Sequence, residues 1–306
     1  MNSNLVTAQQ VNAGRWWRTV LVLGVSAILL VGVGCQDPGK TAADVVLPPK
    51  KEEELGDELE KELLAEEDIR LYQGQTVEQY IKRLGQEAVI AAGDDSPDAI
   101  EYEFKVIDDP DTINAFAMPG GQIFFYTGLL KLADTEAEVM SVMCHEVAHV
   151  SQRHIAKRLV AAYGLQAVIG AALGENPGLV EKLVALIVAK GALLTFGRKQ
   201  EKNADEVGME YLIESGYDPH GFVTFFEKLK AQKGGLQIKW LSSHPLPEDR
   251  IENAEKRIGA RKFEDAEVGE MEHKQILQAI ESHTPSGDTG LPEAGFPDAD
   301  RRDGGM

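Results

Sequence analysis

His145-Glu146-Val147-Ala148-His149 is the stretch on which the reading of this chain turns. A helix advances about 100° per residue, so side chains four apart lie roughly 40° from one another on one face. In a helix the imidazoles of His145 and His149 would stand one turn apart, close enough to hold a single metal ion. Glu146 would point beside them, where a carboxylate can take a proton from metal-bound water without ligating the metal.

Three fixed positions recur by chance, so the setting has to support them. Thr135 to Gln152 reads as one helix, opened by a capping box with Thr135 at the N-cap and Glu138 three residues on. Val139, Met143, Val147 and Val150 form an apolar stripe away from the histidines, widened by Met140, Cys144 and Ala148. So apolar a helix is buried, and two histidines and a glutamate on it need partners, either a metal or hydrogen bonds within the core.

Zinc usually takes a third protein ligand and leaves a fourth position to water. The elongated metzincin motif is excluded, because Gln152 and Ile155 stand where it needs glycine and histidine. His154, five residues past His149, falls on the wrong face and reads as an ordinary polar residue near the helix end. Glu175 lies in a turn-forming run, Gly174 to Gly178, without rigid support. Glu201 is better placed. Arg198 to Asp205 opens a second helix that runs to about Ser215 and closes with Gly216 and Pro219. Glu201 and Asp205 share one face, flanked by Ala204 and Gly208. A solvated charged face has no need of a helix-interior glycine, so Gly208 argues for close approach to the first helix.

HExxH followed some fifty residues later by Glu201-x-x-Ala204-Asp205 resembles the HtpX/BepA/LoiP-type zinc metallopeptidases, relatives of the CAAX prenyl protease. Asn114 to Gly121 and the strand Gln122 to Phe125 are similar to that family's NAFAxPGG segment. Ser243-His244-Pro245 to Arg250 is similar to its late S/T-HP block. The resemblance covers roughly Tyr72 to Ile258. It implies one zinc ion per chain held by His145, His149 and Glu201, with Glu146 as catalytic base and Asp205 orienting a ligand histidine. His244 matches a family histidine that stabilises the oxyanion or caps the zinc at rest; read from the residues alone, it is a loop residue held extended by Pro245. Arg250 reads as a structural partner for an acid of the site. Gly197 departs from the family's more usual serine and bears only on local geometry. The expected fold is mainly α (α+β), a helical zincin-type domain with a small sheet at the cleft. Gln122 to Thr127 is the strand expected to offer its edge to a substrate backbone, besides packing with Glu103 to Ile107.

Arg15 and Arg18 precede an apolar run of sixteen residues from Thr19 to Gly34, short for a membrane span but suited to a signal peptide. Val31-Gly32-Val33-Gly34-Cys35 resembles a bacterial lipobox, with Cys35 as the lipidation site; an uncleaved signal anchor is the rival. Either way the domain would be membrane-attached outside the cytoplasm, facing the periplasm and sited at the outer membrane more readily than the inner. Of the two cysteines, Cys144 is then a buried apolar residue without a disulfide partner. The expected organisation is a signal peptide over 1–34, an acidic tether over 35–68 in which Lys51 to Arg70 can form a charged helix, the peptidase domain over 69–261 beginning with an amphipathic helix near 76–92, and an acidic, disordered tail over 262–306. Between the ligand helices, the apolar segments 159–173 and 179–196 form either a packed helical hairpin or a mobile, membrane-apposed lid.

A net charge of −19, from 31 basic and 50 acidic residues, argues against a nucleic-acid partner. The function that the family resemblance implies is endoproteolysis of unfolded or misassembled envelope proteins. A chaperone-like outer-membrane assembly factor with a latent or regulatory zinc site is the alternative, and narrow exopeptidase trimming a weaker third.

Overall fold

The computed structural model describes residues 47–93, 100–193, 195–232, 237–245, 249–259 and 261–283. The segment read as a signal peptide, Cys35 and the tail from Thr284 lie outside the described residues.

Helix α1 (Pro49–Leu63) opens the described chain and falls inside the stretch read as a tether. It is packed, not loose. Leu55, Leu59 and Leu63 recur every four residues and are fully buried, with Glu52 on the same side. The charges that dominate its composition occupy the remaining faces, which is why the stripe was missed. α2 (Gln75–Ala91) is the amphipathic helix expected near 76–92 and packs on the sheet and on the HExxH helix.

Strands β1 (Glu103–Ile107), β3 (Ala115–Ala117) and β4 (Gln122–Tyr126) form a sheet in the order β1-β4-β3, with β2 (Thr112–Ile113) lying apart from it. β4 runs parallel to β1 and antiparallel to β3, so it is the central strand and cannot offer an edge to a substrate. Its five residues are all buried because both edges and both faces are covered. The edge on the β3 side has no strand partner among the described residues, although all three β3 residues are buried. Gly120 and Gly121 make the β3–β4 turn at φ +85 and +98; a side chain at Gly120 would strike the backbone of Glu53 in α1. α1 therefore crosses this turn. It is tied down by Asp57, which accepts from Gln122 Nε2 at 3.1 Å, and by the ion pair of Glu60 with Lys105.

α3 (Thr127–Leu132) leads into α4 (Glu136–Ser151), the HExxH helix. After it come α5 (His154–Tyr163), α6 (Leu165–Ala172) and α7 (Pro177–Lys190), the apolar segments of the sequence. They form a helical hairpin whose buried side chains, Val168, Ala171, Leu183 and Ile187 among them, pack where α1 lies against α6 and α7. No single described helix is long and apolar enough to cross a membrane; α5 and α6 together have the length and composition but bend by 113°.

α8 (Arg198–Glu214) lies along α4. α9 (His220–Ala231), β5 (Gln237–Ile238, paired parallel with β2), α10 (Trp240–Ser243) and α11 (Asp249–Ile258) follow. α12 (Glu270–Ser282) corrects the expectation of a disordered tail from 262. It packs on α2, α3 and α4 through His273, Ile276 and Ile280, again at helical spacing beneath an acidic composition. His273 Nε2 lies 3.0 and 3.1 Å from the carbonyls of Leu130 and Ala133, and its Nδ1 lies 3.1 Å from the Tyr80 hydroxyl.

Candidate metal centre

α4 begins as its sequence requires. Thr135 Oγ1 accepts the Glu138 N–H at 3.2 Å, but the Glu138 carboxylate reaches back to the N–H of Asp134 at 2.7 Å, one residue before the expected box. Every residue from Glu136 to Val150 is buried, so the helix runs through the centre of the domain. Gly208 of α8 faces it so closely that a Cβ there would sit 3.0 Å from the Cys144 carbonyl oxygen and 3.1 Å from His145 Cα. This glycine lets α8 carry Glu201 up to the histidines. Cys144 is buried and free, and burial pushes its thiol up, out of nucleophile range.

Ligand atoms from His145, His149, Glu201 and His244 lie within 4.8 Å of one another, all four residues buried. His145 Nε2 is 3.1 Å from His149 Nε2 and 3.2 Å from His244 Nδ1. Glu201 Oε1 is 3.1 Å from His244 Nδ1 and 3.5 Å from His149 Nε2. Bonds of about 2.0–2.1 Å from zinc to four tetrahedral ligands would separate the ligand atoms by about 3.3 Å. The residues present fit zinc on that measure. They also fit chemically: three imidazole nitrogens converge on one point, where shared protons cannot satisfy them all but a cation can.

The electrostatics agree. Burial holds His149 well below its usual pKa and so keeps it neutral. Burial would raise the Glu201 carboxyl, but the neighbouring histidines, His244 foremost, override it and keep Glu201 ionised. Burial would lower His244, yet Glu201 and Glu146 pull it upward. The same carboxylates would draw in a divalent cation; a neutral His149 and an ionised Glu201 are the states that zinc binding requires, whereas a metal at His244 would displace the proton that these carboxylates favour there.

Around the cluster, Glu146 Oε1 accepts the Trp240 Nε1–H at 3.2 Å and lies 3.5 Å from His244 Nε2, while the buried Oε2 has no hydrogen-bond partner. Trp240 stacks on His244 at 4.8 Å and 21°. Asp205 Oδ1 comes within 3.1 Å of His145 Nδ1, in contact but short of hydrogen-bond alignment. Arg250 grips Asp205 through both carboxylate oxygens at 2.8 and 2.5 Å, approaches Glu201 at 3.1 Å and donates to the Pro245 carbonyl at 3.1 Å. It thereby ties the His244 loop to α8. The pairing expected for Arg250 is thus present, with two acids of the site.

The sequence reading missed two residues. Trp240 had no signal beyond an aromatic four positions before the histidine. His154, set aside as facing the wrong way, is buried with its Nδ1 3.2 Å from His149 Nδ1, and burial holds its pKa down to about 4. The helix on which that judgement rested breaks first: Arg153 has φ +56. Glu175 is exposed and takes no part.

The site agrees with what the chain is similar to. The model of peptidase family M48 matches residues 75–258. The chain is 30% identical over 230 residues to the beta-barrel assembly-enhancing protease of Escherichia coli K12, covering 71% of this chain and 46% of that one. It is 31% identical over 186 residues to the metalloprotease LoiP of the same organism, covering 60% of this chain and 72% of the relative. To the mitochondrial metalloendopeptidase OMA1 of Schizosaccharomyces pombe it is 32% identical over 158 residues, covering 51% and 46%. The chain spans about half the length of the assembly-enhancing protease. With well over half of its residues matched, including every residue of the cluster, the chain belongs to peptidase family M48.

Proposed function

We propose that this protein is a zinc-dependent endopeptidase of the bacterial cell envelope, acting on unfolded or misassembled envelope proteins and latent at rest. The observation that carries the reading is the convergence of His145, His149 and Glu201 beside the unpartnered Oε2 of Glu146. These three residues hold the ion. Zinc, when bound, supplies the Lewis acidity that polarises a peptide carbonyl and activates water. Glu146 takes up the water proton at Oε2 and passes it to the leaving amine. Trp240 holds the other carboxylate oxygen in place. Asp205 orients His145, and Arg250 holds Asp205. Substrate main chain pairs with the β3 edge, since β4 is enclosed.

His244 supplies a fourth ligand atom where a catalytic site keeps an open position. This favours a cap over an oxyanion donor in the form described: stacked on Trp240 and tied through Pro245 to Arg250, His244 closes the site until its loop moves. The link to β-barrel assembly comes from the name of the assembly-enhancing protease, and the envelope setting and unfolded or misassembled substrates rest on the family resemblance. Attachment through a lipidated Cys35 rests on the arginines, apolar run and small residues before it. The closed fourth position is also what an assembly factor with a regulatory zinc site would show, and that remains the second reading.

The test is incubation of the zinc-loaded chain from Gln36 onward with casein, beside Glu146→Gln and His244→Ala. Internal cleavage should fall by at least about 10²-fold in Glu146→Gln with zinc retained, and rise several-fold in His244→Ala. If Glu146→Gln preserves envelope function in cells, the assembly-factor reading replaces this one.

A further inference from the structure

His154 is buried against the metal cluster, yet nothing in the proposed chemistry uses it. In an unbroken helix it would sit about 140° around from His149, facing away. The chain instead breaks at Arg153, the one non-glycine residue with positive φ among the described residues. Arg153 donates to the Leu47 carbonyl at 3.0 Å and forms an ion pair with Glu52, so α1 holds the break in place. The turn brings His154 back beneath His149, their Nδ1 atoms 3.2 Å apart and their rings crossed at 71°.

His149 presents Nε2 to the cluster, 3.1 Å from His145 Nε2 and 3.5 Å from Glu201. A neutral imidazole carries one proton, and the bond made by one nitrogen decides which nitrogen holds it. If His154 donated to His149, the proton of His149 would sit on Nε2 and block the metal. If His154 accepts, the proton sits on Nδ1 and the Nε2 lone pair is free. Gln200 Nε2 of α8 donates to the His154 backbone carbonyl at 3.2 Å and braces the residue beneath His149.

We propose that His154 is a positioning residue for zinc binding: its Nδ1 accepts the Nδ1–H of His149 and fixes the tautomer that turns Nε2 toward the metal. This is the role proposed for Asp205 at His145, with a neutral acceptor in place of a carboxylate. The proposal rests on the reading of His149 as a zinc ligand.

The experiment measures zinc affinity of the full chain by competition with a chelator. His154→Asn keeps an acceptor near the Nδ1 position, His154→Phe fills the space without one, and His149→Ala removes the ligand. His154→Phe should bind zinc about 10- to 100-fold more weakly, with His154→Asn recovering most of the loss. Equal affinity of His154→Phe and wild type overturns the proposal, as does an equal loss in both His154 variants, which would mean packing alone. Should a variant fail to fold, nitrogen NMR of histidine-labelled, zinc-loaded wild type decides. It should show His149 protonated at Nδ1 and His154 unprotonated there, and the reverse refutes the assignment. Wild-type affinity in His149→Ala would sink the ligand reading itself; a weak His149→Ala beside an unchanged His154→Phe sinks only the role of His154.

Discussion

At the scale of single residues, the cluster of candidate ligands is held by side chains that lie outside it. Arg250 is the busiest of them: its planar fork grips Asp205, reaches Glu201 and the Pro245 carbonyl, and stacks 4.5 Å over Phe226 and 5.4 Å over Trp240. A lysine keeps the charge but loses the fork and the stacking. Arg250→Lys should therefore lower zinc affinity by about 10-fold or more, which chelator competition would read. An unchanged affinity would reduce Arg250 to a packing role.

At the scale of elements, the site depends on how closely two helices approach. α4 carries His145, Glu146 and His149, α8 carries Glu201, and the contact between them is made at Gly208. Gly208→Val should force the helices apart and cost about 1–3 kcal/mol, lowering the melting temperature even of the zinc-free protein. α1 is the second such element. Its Glu52 is buried against Arg153, and opening a buried ion pair costs on the order of 3 kcal/mol or more because one charge is left behind. Glu52→Ala should destabilise the protein by about that amount in urea unfolding, and also weaken zinc binding, since Arg153 sets the α4–α5 break. A loss of stability with zinc affinity intact would separate the two effects.

At the scale of the whole molecule, the domain extends past both boundaries expected from composition, with α1 at one end and α12 at the other. α12 is pinned by His273, whose ring donates to two carbonyls and accepts from Tyr80, an arrangement that suits the neutral form; burial lowers its pKa from 6.5. In the unfolded chain this histidine takes up a proton near pH 6.5, whereas in the folded chain it does so only at lower pH. Its contribution is therefore fully present above about 6.5 and fades as pH falls toward the depressed folded value. Melting temperatures measured from pH 7.5 down to 5 should fall more steeply for wild type than for His273→Gln. Parallel slopes would remove His273 from the acid response.

The candidate site residues were legible in the sequence. HExxH, the Glu201–Asp205 pair, the small residues beside it and the His244-Pro245 block are local patterns, because helical spacing alone decides which side chains share a face. The helices that carry them were legible for the same reason, through apolar period and caps. Long-range packing was needed to see which strand is enclosed, that α1 and α12 belong to the domain, that His244 joins the cluster, and that His154 turns back under His149. Each of these depends on contacts between distant segments, such as Glu52 with Arg153, or on one left-handed residue that no periodic pattern announces. Acidic composition hid the leucine stripe of α1 and the histidine–isoleucine stripe of α12. A helix needs only one apolar face to be held in a core, and composition averages over all of them.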